Sequence, residues 1–173
     1  MDQRARSIEE RETALEPAST FEAFFEQHRH RLYGAMCLVT GNRAEAEEIT
    51  QEAFLRVWER WTTVETLEGP EAYLFTVAMN VYRNRLRRAS VAARRAFSLA
   101  SSADDLAAVE DRDEVVRALR PLPPRQRAAI VLTDYLDLSS EEAARALGIR
   151  ASTVRALATQ ARAGLRQAQE ERA

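Results

Sequence analysis

The sequence predicts an all-α protein built as two small helical domains joined by a flexible linker, the second a helix-turn-helix domain. Three observations predict it. The 173 residues include only five Gly and five Pro, too few for a sandwich or barrel that needs a turn about every ten residues. The bias toward Ala, Leu, Glu and Arg favours helix. Apolar residues recur at three- and four-residue intervals rather than alternating. The aromatics cluster in residues 19–89, whereas Tyr135 is the only one in residues 113–170. Residues 1–18 read as a polar extension and residues 90–112, rich in Ser, Ala and Asp, as the linker between domains 19–89 and 113–173.

In the first domain, Ser19 and Thr20 are plausible caps for a helix opened by Phe21, Phe24, Phe25 and Leu32. Gly41-Asn42 marks a turn. A Glu-rich helix follows, with Ile49, Ala53, Val57 and Trp61 as its apolar stripe, Phe54 and Trp58 widening it, and Glu48, Glu52 and Glu59 facing out. Gly69-Pro70 separates it from a helix that begins with Tyr73, Leu74, Val77, Ala78 and Val81 and ends in arginines. There Asn80, Tyr82 and Asn84 lie among the guanidinium groups, a mixture that can hold phosphates and stack on or hydrogen-bond bases. One or two arginines would answer the helix dipole; six between 83 and 95 exceed that need.

In the second domain, Pro123-Pro124 introduces a helix from Arg125 to Tyr135, with Ala128, Val131, Leu132 and Tyr135 as its packing face. Ser139 and Glu142 form a capping box, and the helix they start stops at Gly148, a C′ residue. A further helix carries Val154, Leu157, Ala158, Ala161 and Leu165 inward. Ala144, Gly148 and Val154 have helix-turn-helix spacing: small at the crossing, permissive of positive φ at the turn, β-branched toward the first helix. The outer positions Ser152, Thr153, Arg155, Thr159 and Arg162 include no acid that phosphate would repel. A plain helical packing unit is the competing reading of such a hairpin.

Charge sharpens the choice. The formal total is −2, yet residues 43–71 carry eight acids against three arginines, and residues 104–114 six acids against one. Residues 83–95 hold six arginines and residues 145–166 five, neither with an acid. Two basic blocks separated by an acidic stretch suggest nucleic acid where net charge alone would not; a single block would be read as a solvated helix face. Other chemistries find no support. No apolar run approaches the roughly 18–20 residues of a membrane span, and residues 1–17 alternate Arg and Glu without the apolar core of a secretory signal. Cys37 is the single cysteine, which excludes a disulfide framework or a multi-thiolate metal site and fits a cytoplasmic protein, with Cys37 as a small buried apolar group. His28 and His30, two apart, cannot readily share a metal. Without a phosphate loop or an activated nucleophile, neither a cofactor nor catalysis is expected.

The stretch 43–61, centred on Ala46-Glu47-Glu48-Ile49-Thr50-Gln51-Glu52-Ala53-Phe54, resembles the core-binding helix of bacterial RNA polymerase sigma factors. Leu122-Pro123-Pro124-Arg125-Gln126-Arg127, followed by Leu138-Ser139 and Leu147-Gly148-Ile149, resembles the opening of their last DNA-binding domain. Their order and spacing are similar to those of the extracytoplasmic-function group, over about residues 20–90 and 113–167. The resemblance implies that Glu48, Gln51, Glu52 and Leu55 meet core RNA polymerase. It implies that Asn80, Arg83, Asn84, Arg87 and Arg88 hold the minus-ten element, double-stranded and then melted, and that residues 62–69 receive an extruded base. Arg150, Ser152, Thr153, Arg155, Thr159 and Arg162 would serve the minus-thirty-five element. An anti-sigma factor is a further implied partner, for which the acidic and apolar faces of the first domain are natural targets. The chain departs from the family at Ala156, Leu157 and Gln160, where basic or Ser residues are common, and at Arg150, where a capping Ser is common. The residues by themselves also admit a stand-alone helix-turn-helix regulator, or a helical adaptor that binds only protein.

Overall fold

The structure, a computed structural model, describes residues 20–97 and 114–170, the side chains of 91–97 excepted. All regular structure described is helical. In chain order it comprises α1 (Phe21–Thr40), α2 (Arg43–Trp58), the single turn α3 (Trp61–Val64), α4 (Pro70–Phe97), α5 (Glu114–Leu119), α6 (Pro124–Ile130), a π-helical segment (Val131–Tyr135), α7 (Ser140–Leu147) and α8 (Ala151–Glu170). The expectations for residues 1–18 and for most of the linker lie outside the described residues, although α4 continues past residue 89, where the sequence closed the first domain.

The ends of these helices are set by local hydrogen bonding. The Thr20 side chain accepts from the Ala23 N–H at 3.2 Å, and Asn42 caps α2 by accepting from the Glu45 N–H at 3.0 Å. Gly41 and Gly148 close α1 and α7 with φ of 67° and 64°, a conformation that costs glycine little. At α7 the capping box is complete: Ser139 Oγ accepts from the Glu142 N–H, and the Glu142 carboxylate accepts from the Ser139 N–H at 2.8 Å.

Two expectations are corrected. The stripe from Ile49 to Trp61 is not one helix, because α2 ends at Trp58 and Trp61 opens α3. Trp61 still packs on Phe21 and Phe24, whereas Trp58 points outward. The helix expected from Arg125 to Tyr135 turns π-helical after Ile130; the wider turn buries Val131 and Leu132 but leaves Tyr135 43% exposed, its hydroxyl against Gly34 of α1. The two helical domains pack on each other. A single apolar core runs from Phe24 through Leu74 and Phe75 to Leu132 and Val154. Helix α1 packs on α5, α6 and the π segment, and α4 packs on α7. Polar ties cross the seam: Arg31, paired with Glu71 in its own domain, donates to the Leu136 carbonyl at 2.8 Å and lies 3.8 Å from Asp137. Arg127 is buried where α6 meets Tyr82 and the Gly41 turn.

Candidate nucleic-acid and partner-binding surfaces

Helix α2 offers the first surface. Ile49, Ala53, Phe54 and Val57 point into the core, which turns Glu48, Gln51, Glu52 and Leu55 outward on the opposite face. The same three- and four-residue spacing carries on to Trp58, 58% exposed beside Leu55 at 53%. Residues Phe21 and Phe25 of α1, with Gln51, Phe54, Leu55 and Trp58, line an open apolar groove of about 550 Å³. Its rim is acidic: Glu22 and Glu26 line it and are exposed. Sequence reasoning places Trp58 in the core stripe and leaves Phe21 and Phe25 out of the surface, although the i, i+3, i+7, i+10 pattern of Glu48, Gln51, Leu55 and Trp58 carries the signal. Glu48 and Glu52 are not free; Arg85 of α4 donates to Glu48 at 2.5 Å and to Glu52 at 3.3 Å, while Arg56 also holds Glu52 at 2.6 Å.

The second surface is the cationic half of α4. Arg87 and Arg88 are exposed, with Arg87 donating to Asn84 at 3.0 Å. Asn80 and Arg83 are only half-exposed, because the α7 end of the helix-turn-helix covers them: Arg83 donates to the Leu147 carbonyl and to Asn80 Oδ1. A C-terminal helix carbonyl is a natural acceptor for a guanidinium. Tyr82, expected among the exposed guanidinium groups, is 4% exposed and packs inward, so it offers no stacking surface; burial raises its phenol pKa, partly opposed by Arg127. Residues 62–69, expected as a loop, hold most of α3; Thr62, Thr63, Glu65 and Thr66 are exposed.

The third surface is the outer face of α8. Val154, Ala158 and Ala161 face inward; Arg150, Ser152, Thr153, Arg155, Thr159 and Arg162 are all exposed. Leu157 turns toward α4 and lines a cleft with Leu86, Gly148 and Ile149. Arg150 stands at the N-cap position, its carbonyl accepting from Thr153 and Val154. Two arginines have carboxylate partners. Arg162 makes a bidentate contact with Asp134, at 2.9 and 2.6 Å, and holds that carboxyl below its usual range; Arg155 lies 3.4 Å from Glu141. Both pairs are exposed enough for phosphate to compete for the guanidinium.

Elsewhere, Cys37 is half-buried rather than enclosed and hydrogen-bonds the Tyr33 hydroxyl, which raises the Tyr33 pKa. His28 is buried against Phe24 with Nδ1 3.5 Å from Glu71. No helix among the described residues is long and apolar enough to cross a membrane.

Comparison with known proteins gives consistent matches. The family model for sigma-70 region 2 matches residues 24–92, and that for sigma-70 region 4 matches residues 112–165. The RNA polymerase sigma-E factor of Streptomyces coelicolor is 30% identical over 149 residues, covering 85% of this chain and 84% of that protein. The ECF RNA polymerase sigma factor SigE of Mycolicibacterium smegmatis is 32% identical over 153 residues; the match covers 81% of this chain and 58% of the relative. In fold, the chain is similar to the sigma factor RpoE of Bartonella quintana, solved with the anti-sigma factor NepR, at TM-score 0.73 and 20% identity over 88% of this chain and 98% of that one.

Proposed function

Because the chain belongs to the sigma-70 family of RNA polymerase sigma factors, in its extracytoplasmic-function group, we propose that it binds core RNA polymerase in the cytoplasm and directs it to specific promoters without catalytic activity of its own. The observation that carries this reading is the occurrence of both family regions, in order, over most of one chain. Each surface then takes a role. Glu48, Gln51, Glu52 and Leu55, joined by Trp58, Phe21 and Phe25, form the polymerase face: an apolar groove with an acidic rim suits an amphipathic, basic element of the enzyme.

Asn80, Arg83, Asn84, Arg87 and Arg88 hold the minus-ten strand, the arginines on phosphates and the amides on base edges. Residues 62–69 receive a base turned out of the stack. Opening the duplex costs roughly a few kcal/mol per disrupted step, which phosphate contacts and a base pocket can offset. On α8, Arg150, Ser152, Thr153, Arg155, Thr159 and Arg162 enter the major groove of the minus-thirty-five element, with Arg155 and Arg162 exchanging Glu141 and Asp134 for DNA.

Promoter binding demands that the halves separate. Arg83 cannot meet a phosphate while Leu147 holds it, and the two elements lie roughly two helical turns apart on DNA. The 16 residues between α4 and α5 can span at most about 55 Å, which with the width of the two domains covers that distance. An anti-sigma factor would be a partner that occupies these same faces.

The test is run-off transcription on promoter libraries with purified core polymerase, with and without the protein. Initiation at promoters that core alone ignores is expected, and Arg83, Arg87 and Arg88 reversed to Glu should abolish it while leaving polymerase binding intact. Sequence-specific DNA binding with no dependence on polymerase would instead mark a stand-alone regulator.

A further inference from the structure

Arg85 belongs to neither set of residues assigned above, yet it touches one and flanks the other. Its guanidinium lies between two carboxylates of the polymerase face, donating from Nη1 to Glu48 and from Nη2 to Glu52. Its backbone belongs to the cationic half of α4. With 3.6 residues per turn, Arg85 projects about 60° around the helix from Arg88 and about 100° from Asn84, so a long side chain can lean either toward α2 or toward the DNA-facing flank. The ion pairs are open to competitors: the side chains of Arg85, Glu48 and Glu52 are 31%, 63% and 35% exposed. Ion pairs of this exposure are cheap to exchange. Glu52 also has Arg56 as a second cation, so this carboxylate stays paired without Arg85.

We propose that Arg85 couples polymerase docking to minus-ten binding: Glu48 and Glu52 hold it in the free protein, and a basic polymerase element that takes those carboxylates releases it to a DNA phosphate beside Arg88. Two effects drive the exchange. The incoming cations satisfy the carboxylates and repel the guanidinium they displace. DNA then offers a fresh anion on the side to which Arg85 can turn. By linkage the coupling is reciprocal, so DNA that captures Arg85 frees the carboxylates and tightens polymerase binding by the same factor. The inference rests on the proposed roles of α2 and α4.

Salt dependence reads the exchange directly, since each further phosphate neutralised on a single strand steepens the log–log slope of affinity against salt by about 0.7. The probe is a single-stranded oligonucleotide of the minus-ten sequence, titrated onto the full-length protein without polymerase. Glu48→Gln with Glu52→Gln mimics carboxylates already taken. The expected result is affinity raised about three- to tenfold and a slope steeper by about 0.7, both restored to wild-type values by adding Arg85→Gln. A purely structural Arg85 would leave the slope unchanged, and an unchanged slope overturns the proposal. Should the double variant fold poorly, Arg85→Gln in the wild-type polymerase complex serves instead; its slope is expected to be shallower by about 0.7, and no change counts against the coupling. The wild-type complex with core polymerase separates the two levels. If it binds the oligonucleotide while Arg85 has no effect, only the coupling fails; if it does not bind, the role given to α4 fails and the coupling with it.

Discussion

Trp58→Ala is the sharpest test of the groove between α1 and α2. Trp58 is 58% exposed, whereas its neighbours Val57 and Phe54 are 0% and 3% exposed. A Trp side chain offers up to about 250 Å², so about 140 Å² remains to be covered by a partner. At about 25 cal/mol/Å² that area corresponds to about 3.5 kcal/mol. The methyl that Ala keeps and the imperfect fit of a rim position reduce the expected loss to about 2–3 kcal/mol, roughly 30- to 150-fold in Kd for core polymerase. Folding should be affected less, with a loss of about 1–2 kcal/mol, because the indole is only partly covered in the free protein. The assay is a titration of labelled protein with core polymerase, run beside a thermal melt of each variant. Leu55→Ala, at a residue 53% exposed, should weaken binding in the same direction by less. A folded W58A protein that binds polymerase within about threefold of wild type would refute the assignment of this groove.

Capping, a buried imidazole and a glycine turn each carry a further expected outcome. Ser139→Ala removes one arm of the capping box at α7 and should cost about 1 kcal/mol in urea denaturation, with Ser139→Asp restoring most of it; full stability in the Ala variant would contradict the cap. Burial holds the His28 imidazole below its ordinary 6.5, outweighing the pull of Glu71. The unfolded chain therefore takes up a proton that the folded one refuses, so stability should fall as pH drops below about 6.5. His28→Gln should flatten that acid-side fall in urea midpoints compared between about pH 5.5 and 7.5, and an identical pH profile would remove His28 as its source. Gly148→Ala places a Cβ at positive φ and against the Arg83 guanidinium; a loss of about 1–2 kcal/mol is expected, shrinking when Arg83 is also Ala.

What the sequence reveals and what it conceals divide by the range of the interaction. Thr20, Gly148 and the Ser139–Glu142 pair act within four residues of themselves, and spacing is enough to read their roles, whereas Gly41-Asn42 reads only as a turn although Asn42 also caps α2. The outward positions on α8 are legible in the same way, because Val154, Ala158 and Ala161 fix the inward stripe. Tyr82 is misread among the arginines although its signal is local: it sits four residues after Ala78 and next to Val81, on the buried side of α4. The Arg83–Leu147 contact spans 64 residues and the Arg31–Leu136 contact 105; nothing in composition or period encodes such partners. The π segment is equally silent; the Tyr135 hydroxyl at its end lies against Gly34, about a hundred residues earlier in the chain.

Separation of the two domains on a promoter has to part both the polar ties and the apolar contact between them. Arg31 contributes a hydrogen bond to the Leu136 carbonyl and a long, exposed ion pair with Asp137, each worth about 1 kcal/mol net or less. Against them stands Arg127, 9% exposed, whose Nε finds no partner among the described residues; an orphaned buried donor costs about 1–3 kcal/mol. These opposed contributions nearly cancel. Apolar contact therefore holds the seam where α4 meets the helix-turn-helix: Met79 and Leu147 are buried there, and Leu86, Ile149 and Leu157 line an open cleft of about 360 Å³ beside them. The guanidinium most needed on DNA, Arg83, is held there by one backbone carbonyl of α7 and by Asn80 of its own helix, neutral acceptors for which a phosphate is the stronger competitor.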